Sequence, residues 1–185
     1  DRLVIRQVLG NEQVTWYYVT SLIGKTLVLL IAPINTIVIS YLTKRKERLT
    51  RLQYGKAALA GGIVSFVFFL ACQVGTPLFV WLFYRNLYDS VKGIVTVVNL
   101  AQILGLYSAF LFILVLTFTD ERWQLGIQLA HFGILLAVSI PAAKIYGLAG
   151  FAYASLGANI LRVAAVIILG LVKAQNGKES KDEYR

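Results

Sequence analysis

Two cationic side chains fall inside long apolar runs of the sequence, where charges are rare. Lys25 and Arg162 each lie in a run that contains no Asp or Glu. A charge deep in a membrane helix costs at least about 2.5–3.5 kcal/mol, so it usually faces a wet cavity, an acidic partner or a ligand. With no acid in these runs, we expect the two cations to face a wet cavity, an acidic group outside this sequence or an anionic substrate. The alternative for Lys25 is that its long side chain reaches the outer membrane interface.

Neutral polar residues accompany these cations at helical spacing. Tyr18 and Lys25 share a face of the first run that continues to Asn35, and Asn159 precedes Arg162 by one helical turn. Residues three, four or seven positions apart lie on one side of a helix. A third stripe, in the fourth run, contains Gln124, Gln128, His131 and Ser139. These stripes predict a polar cavity whose candidate residues are Lys25, Arg162, Asn159, Tyr18, Asn35, Gln128 and His131.

An alternative explanation holds for any of the neutral residues. Ser, Thr, Asn and Gln hydrogen-bond across helices in lipid, at about 0.6 kcal/mol for each bond. Ser65, Thr76, Ser139 and Ser155 fit this structural role best. For His131, both a packed, hydrogen-bonded residue and a proton relay stay open.

The residues needed for enzymatic chemistry are not found in recognisable patterns. The single His cannot form a His-pair metal motif, and the sequence contains neither a G-x-S-x-G nucleophile motif nor a Walker A motif. We therefore expect a protein that is not an enzyme and has no metal site and no cofactor. Binding or passage of an anion is the chemistry that the polar residues favour.

The elements that carry these residues are too apolar for a soluble protein. Of 185 residues, 58% are hydrophobic and 15% are charged, against about 45–50% and about 25% in soluble domains. Five apolar runs are each long enough to cross the roughly 30 Å hydrocarbon core. They cover about residues 14–42, 57–83, 93–118, 125–146 and 148–172. The sequence thus predicts an all-α, polytopic membrane helix bundle with five transmembrane helices.

The basic residues give this bundle an orientation, and with it an explanation of the net charge of +9. Eleven of the 18 Lys and Arg residues fall on one side of the predicted spans: Lys44, Arg45, Lys46, Arg48, Arg51, Lys56, Arg122, Lys173, Lys178, Lys181 and Arg185. The positive-inside rule makes that side cytoplasmic. We expect loop 44–56 and tail 173–185 in the cytoplasm and segment 1–13 outside. Loop 44–56 is also a candidate for binding anionic membrane lipids, and we expect no nucleic-acid partner.

Four stretches resemble a family of exporters. DRLVIRQVLGNEQVTWYYVTSLIG, at residues 1–24, resembles the end of that family's seventh helix and the start of its eighth. LIAPINTIVISYL contains a mid-helix Pro and precedes a basic segment, PLFVWLFYRNLYDSV begins with Pro, and KIYGLAGFAYASLGANILR contains the Tyr-Gly and Gly-x-Ala junction of the last two helices. The family is the multidrug/oligosaccharidyl-lipid/polysaccharide exporter superfamily, in its polysaccharide transporter branch of O-antigen (Wzx-type) flippases.

This resemblance implies that the chain is most of one six-helix lobe of a twelve-helix transporter. The sequence contains no Met, so we expect it to belong to a longer chain whose N-terminal lobe is missing here. The implied function is alternating-access flipping of a lipid-linked oligosaccharide, a polyprenyl diphosphate sugar used for polysaccharide or lipopolysaccharide synthesis, across the bacterial cytoplasmic membrane. By charge and depth, Lys25 and Arg162 fit a pyrophosphate site. The alternatives are a cation-coupled multidrug exporter of the same superfamily, which usually needs an intramembrane Asp or Glu, and a non-transporting scaffold subunit.

Overall fold

The computed structural model describes residues 1–44 and 49–174, which form helices and short connections without a strand. In chain order the helices are α1 (Arg2–Leu9), α2 (Asn11–Thr43), α3 (Arg51–Phe83), α4 (Tyr88–Val91), α5 (Val95–Leu116) and α6 (Glu121–Lys173), with a 3-10 turn at Arg85–Leu87. Four of them, α2, α3, α5 and α6, are long and apolar enough to cross a membrane. The expected all-α, membrane-like character is confirmed for the described residues.

Helix α5 is the centre of the bundle. Helices α2, α3 and α6 all pack against it, and buried side chains follow one another from Val95 to Val115. A helix that is apolar all round is stable where neighbours cover every side. The second half of α2 is different, because large side chains such as Leu29 and Ile37 are exposed there. Only one face of this part of α2 is exposed, because Leu27 and Ile31 on the other face pack against α3 and α5.

Helix α6 is a hairpin of two helical arms. A straight helix of this length would measure about 80 Å, but Gly147 has φ 63° and ψ −147° and breaks it. This combination of angles is essentially restricted to glycine. After the break, Gly150 lies against the carbonyl of Ala142. The first arm (residues 121–146) and the second arm (residues 148–173) therefore lie side by side, and both line a common cavity.

Helix α1 folds back along α2. Gly10 has φ 91°, a value that favours glycine, and the chain reverses there. The fully buried Ile5 packs with Tyr17 of α2 and Phe151 of α6, and the Arg2 guanidinium carbon lies 4.4 Å from the centre of the Tyr18 ring. The segment predicted to be extracytoplasmic is therefore mostly helical, and it places Asp1 beside the interior of α2.

One end of the bundle brings together basic residues from the ends of α3 and α6. Helix α3 starts at Arg51, before the expected position 57, because Thr50 and Gln53 form a capping box. Arg51 Nε donates to the Ala174 carbonyl at 3.3 Å, and Lys173 Nζ lies 5.3 Å from the Trp123 ring centre. The start of α3 and both ends of α6 therefore meet. Of the eleven predicted cytoplasmic cations, these lie outside the described residues: Arg45, Lys46, Arg48, Lys178, Lys181 and Arg185.

The opposite end carries the connection between α3 and α5. There Lys92 Nζ donates to Asp89 Oδ1 at 2.8 Å. This hydrogen bond raises the pKa of the Lys92 ammonium. Asp89 therefore compensates one of the cations at this end of the bundle.

Candidate functional site

A groove of about 380 Å³ lies between α2, α5 and the second arm of α6. We call it the inner groove. Its polar lining consists of Asp1, Tyr17, Asn35, Gln102, Ser155, Asn159 and Arg162. On α2 it is lined by Val28, Ala32 and Asn35, and its remaining walls are apolar. A polar stripe in an apolar bundle marks a place where water or a polar ligand contacts the helices.

Arg162 is the cation that lines the inner groove. Its guanidinium carbon lies 5.2 Å from the centre of the Phe112 ring on α5. The Nε atom is buried and has no hydrogen-bond partner among the described residues. No acidic side chain within the described part of the chain forms an ion pair with Arg162. Such an arrangement leaves a positive charge available to an anion, as the sequence predicts.

Lys25 has a different environment, and the expectation that it lacks an acidic partner is wrong. Its Nζ atom lies 2.9 Å from Oδ2 of Asp1 and 5.5 Å from the centre of the Tyr17 ring. The sequence separates Asp1 from Lys25 by a helix and a turn, and only the reversal at Gly10 brings them together. Lys25 therefore borders the inner groove through Asp1, which lines it, and its charge is already compensated.

The neutral candidates separate into residues that line the groove and residues that do not. Asn35 and Asn159 line it, and Asn159 Nδ2 donates to the Ser155 carbonyl at 3.0 Å. Tyr18 lies under the Arg2 guanidinium instead. Gln128 is exposed and is not among the residues that line the groove.

A second, smaller cavity lies between the two arms of α6. It has a volume of about 80 Å³, and its lining includes His131 from the first arm and Arg162 from the second. The Nε2 atom of His131 is buried and, like Nε of Arg162, has no hydrogen-bond partner among the described residues. We call it the hairpin cavity. The structure thus brings His131 to Arg162, whereas the other members of its stripe have separate environments: Gln124 is half-buried, Gln128 is exposed and Ser139 is buried.

Four residues of the polar lining were not predicted as cavity residues: Asp1, Tyr17, Gln102 and Ser155. Gln102 of α5 donates through Nε2 to the Tyr17 hydroxyl at 3.4 Å, and both residues line the groove with Asp1. Asn99 and Gln102 of α5 are three positions apart in the sequence. In the structure Asn99 faces α3 and Gln102 faces the groove, because α5 has neighbours on all sides. The sequence feature that could have identified Gln102 is a polar residue within a strongly apolar run.

A further group of polar residues forms a hydrogen-bonded cluster between α3 and α5. Asn99 Nδ2 donates to the Cys72 carbonyl at 3.1 Å and to Gln73 Oε1 at 3.2 Å. Thr76 Oγ1 donates to Asn99 Oδ1 at 3.1 Å, and Gln73 Nε2 donates to Thr96 Oγ1 at 2.9 Å. We call this set the Asn99 cluster. Thr76 has the interhelical role that the sequence predicted.

The arrangement of the inner groove suits the binding of an anion. Arg162 supplies a charge, while Asn159, Asn35 and Gln102 supply neutral polar groups in a low-dielectric environment, where electrostatic attraction is strong. Within residues 1–44 and 49–174, no three His, Cys, Asp or Glu side chains are grouped as a metal site. No family model matches the sequence, and comparisons with curated proteins and with solved structures found no match either.

Proposed function

We propose that this chain is a five-span lobe of a membrane transporter that moves a lipid-linked oligosaccharide across a membrane. In this proposal α2, α3 and α5 each cross once, and the two arms of α6 cross separately. Each arm is about 39 Å long at 1.5 Å per residue, enough for a hydrocarbon core of about 30 Å. The reversal at Gly147 supports two crossings by α6, since the arms lie side by side.

The orientation follows from the two ends of the bundle. The end with Arg51, Arg122 and Lys173 faces the cytoplasm, because translocated loops carry fewer cations. The turn at Gly147 and the connection with the compensated Lys92 face the outside. We place the protein in the bacterial cytoplasmic membrane, in line with the resemblance to polysaccharide flippases.

The observation that carries the proposal is the uncompensated Arg162 in the inner groove. A charge held away from water without a partner lowers the stability of the folded protein. A bound anionic ligand compensates such a charge, so a ligand site accounts for its presence. A polyprenyl diphosphate sugar has an anionic diphosphate between an apolar tail and a polar glycan. Arg162 would bind the diphosphate, the neutral amides of the groove would bind polar groups beside it, and the tail would stay in the lipid.

Flipping requires the groove to open to each side of the membrane in turn. In the proposed mechanism a second lobe, supplied by the N-terminal half of a longer chain, covers the groove. Rocking of the two lobes exposes Arg162 first to the cytoplasmic and then to the outer side. The exposed apolar half of α2, with Leu29 and Ile37, supports such a partner, because a surface of this kind fits lipid or another apolar helix.

The experiment is substitution of Arg162 in the full-length protein, followed by measurement of surface polysaccharide. Arg162→Ala should abolish polysaccharide display with the protein level unchanged, and Arg162→Lys should retain part of it because the charge remains. Lys144→Ala is the matched control, since Lys144 is an exposed cation at the proposed outer end. Normal polysaccharide in Arg162→Ala cells would remove Arg162 from the mechanism.

A cation-coupled multidrug exporter is the second candidate function, and Asp1 is the observation that favours it. Such exporters usually need a carboxylate in the membrane, and Asp1 lines the inner groove. Asp1→Asn separates the two candidates. The drug exporter would lose resistance in this variant, whereas the flippase would keep polysaccharide display. A scaffold subunit would need well-packed polar stripes without a cavity, so the groove favours transport over that alternative.

A further inference from the structure

We propose that His131 is a proton-binding site linked to the anion site at Arg162, so that an anion and a proton bind to this lobe together. This inference rests on the proposed function and names the proton as a second ligand whose binding is linked to that of the anion. It assigns a role to the hairpin cavity, which the binding of substrate in the inner groove does not itself require.

The hairpin places the two side chains opposite each other. His131 lies sixteen residues before Gly147, and Arg162 lies fifteen residues after it. In two arms that run side by side from one turn, such positions are at the same height. They share a cavity of about 80 Å³, which holds water readily, since one water needs about 10–15 Å³ of such space.

Arg162 belongs to both cavities, and this shared residue provides the linkage. It lines the inner groove with Asn159 and the hairpin cavity with His131. An anion that binds Arg162 from the groove therefore changes the charge that His131 faces. No movement of the helices is needed for this effect, because the two side chains already line one space.

The charges around His131 determine the sign of the linkage. Among the described residues that line the hairpin cavity, Arg162 is the charged group that faces His131, and the others are apolar residues of the same two arms, such as Ile127, Ile134 and Leu161. A protonated His131 beside an unpaired Arg162 places two positive charges together at low dielectric, which is unfavourable. A bound anion compensates Arg162 and removes that penalty.

Linkage is reciprocal, so protonation of His131 must strengthen anion binding by the same factor. Histidine suits this role because its charge changes near physiological pH. The Nε2 atom of His131 is buried and has no hydrogen-bond partner among the described residues, so a proton can bind there without breaking a hydrogen bond at that atom. The lobe would therefore take up a proton as the diphosphate binds and lose it as the diphosphate leaves.

The test uses the full-length protein in nanodiscs of uncharged lipid, with inorganic pyrophosphate as the probe. Its dissociation constant is measured at pH 8 and pH 6, and the protons taken up on binding are measured with an indicator dye in weak buffer. The variants are His131→Gln and His131→Asn, so that a folding defect in one does not decide the result. Phe132→Leu is the matched control, since Phe132 is the next residue on the same helix and is exposed.

At pH 6 we expect wild type and Phe132→Leu to bind pyrophosphate about tenfold more tightly than either His131 variant does. At pH 8 all four proteins should bind it equally. Wild type and Phe132→Leu should also take up more protons on binding than the His131 variants do. The uptake measured with the His131 variants gives the contribution of pyrophosphate itself. Equal pH dependence of binding and equal proton uptake in all four proteins would overturn this inference. The proposed function would remain intact if Arg162→Ala abolishes pyrophosphate binding in the same assay. Failure of wild type to bind pyrophosphate would overturn both.

Discussion

The Asn99 cluster and the inner groove are both polar regions in an apolar bundle, but they differ in how well their polar groups are satisfied. In the Asn99 cluster, the amide of Asn99 makes three hydrogen bonds to α3, and it is fully buried with Thr76. In the groove and the adjoining hairpin cavity, Arg162 and His131 each keep a buried nitrogen atom without a partner. The first arrangement holds two helices together, and the second leaves capacity for a ligand.

The difference teaches that polarity within a membrane helix is a poor guide to function until its partners are known. Asn99 and Asn159 are chemically identical, yet one is enclosed by α3 and the other lines a groove. A polar group bound by its neighbours adds stability, whereas an unpaired charge reduces it. Substitutions in the two regions should therefore change stability in opposite directions.

The largest effect is expected for Arg162→Leu. Removal of the uncompensated charge should stabilise the full-length protein by about 3 kcal/mol, the cost of an arginine at the centre of a membrane helix on the insertion scale. Transport should be lost at the same time. Unfolding by SDS in mixed micelles measures the first quantity and polysaccharide display the second. A destabilised Arg162→Leu variant would show that Arg162 is already paired in the resting protein.

Asn99→Ala should have the opposite effect on stability. It removes three interhelical hydrogen bonds at about 0.6 kcal/mol each, so we expect a loss of about 2 kcal/mol in the same unfolding assay. Transport per folded molecule should be unchanged, because the Asn99 cluster lies away from the groove. Loss of transport without loss of stability would place Asn99 in the mechanism instead.

The Asp1–Lys25 pair should give an intermediate effect. Both side chains are about one-third exposed, at 32% and 30%, so solvent screens their attraction. A double-mutant cycle of Asp1→Asn and Lys25→Gln should yield a coupling free energy of about 1 kcal/mol, and this should fall as salt is added. A coupling of zero would mean that the two charges are independently solvated and that Lys25 is free to bind a ligand.

Thr76→Val should have the smallest effect. It removes a single hydrogen bond, from the Thr76 hydroxyl to Asn99, and keeps the branched shape of the side chain. We expect a loss of about 0.6 kcal/mol. If the loss equals that of Asn99→Ala, the cluster behaves as one cooperative unit and its bonds cannot be assigned separate values.

The helices were predictable from the sequence because each is an uninterrupted apolar run bounded by polar residues. The break at Gly147 also fell where the sequence predicts a turn between the last two spans. The Asp1–Lys25 pair was not predictable, because it depends on the reversal at Gly10 and on the packing of Ile5 against Phe151. Contacts between residues distant in sequence depend on how helices pack, which periodicity does not describe.

The candidate site was predictable in part for the same reason. Periodicity correctly placed Asn159 and Arg162 on one face, and the structure puts both in the inner groove. It could not determine which face of an arm its neighbours cover, so it grouped the exposed Gln128 with His131. The rotation of each helix about its own axis is set by packing, and this rotation decides which stripe becomes a cavity.

Because the two arms of α6 join only at Gly147, a small change in the angle between them moves residues far from the turn by a larger distance. The two arms are fixed together at the turn, and His131 and Arg162 lie about 23 Å along them at 1.5 Å per residue. A change of about 5° in the angle between the arms therefore alters the separation of these side chains by about 2 Å at that rise. The gap between one imidazole and one guanidinium would thus report how far the hairpin has opened.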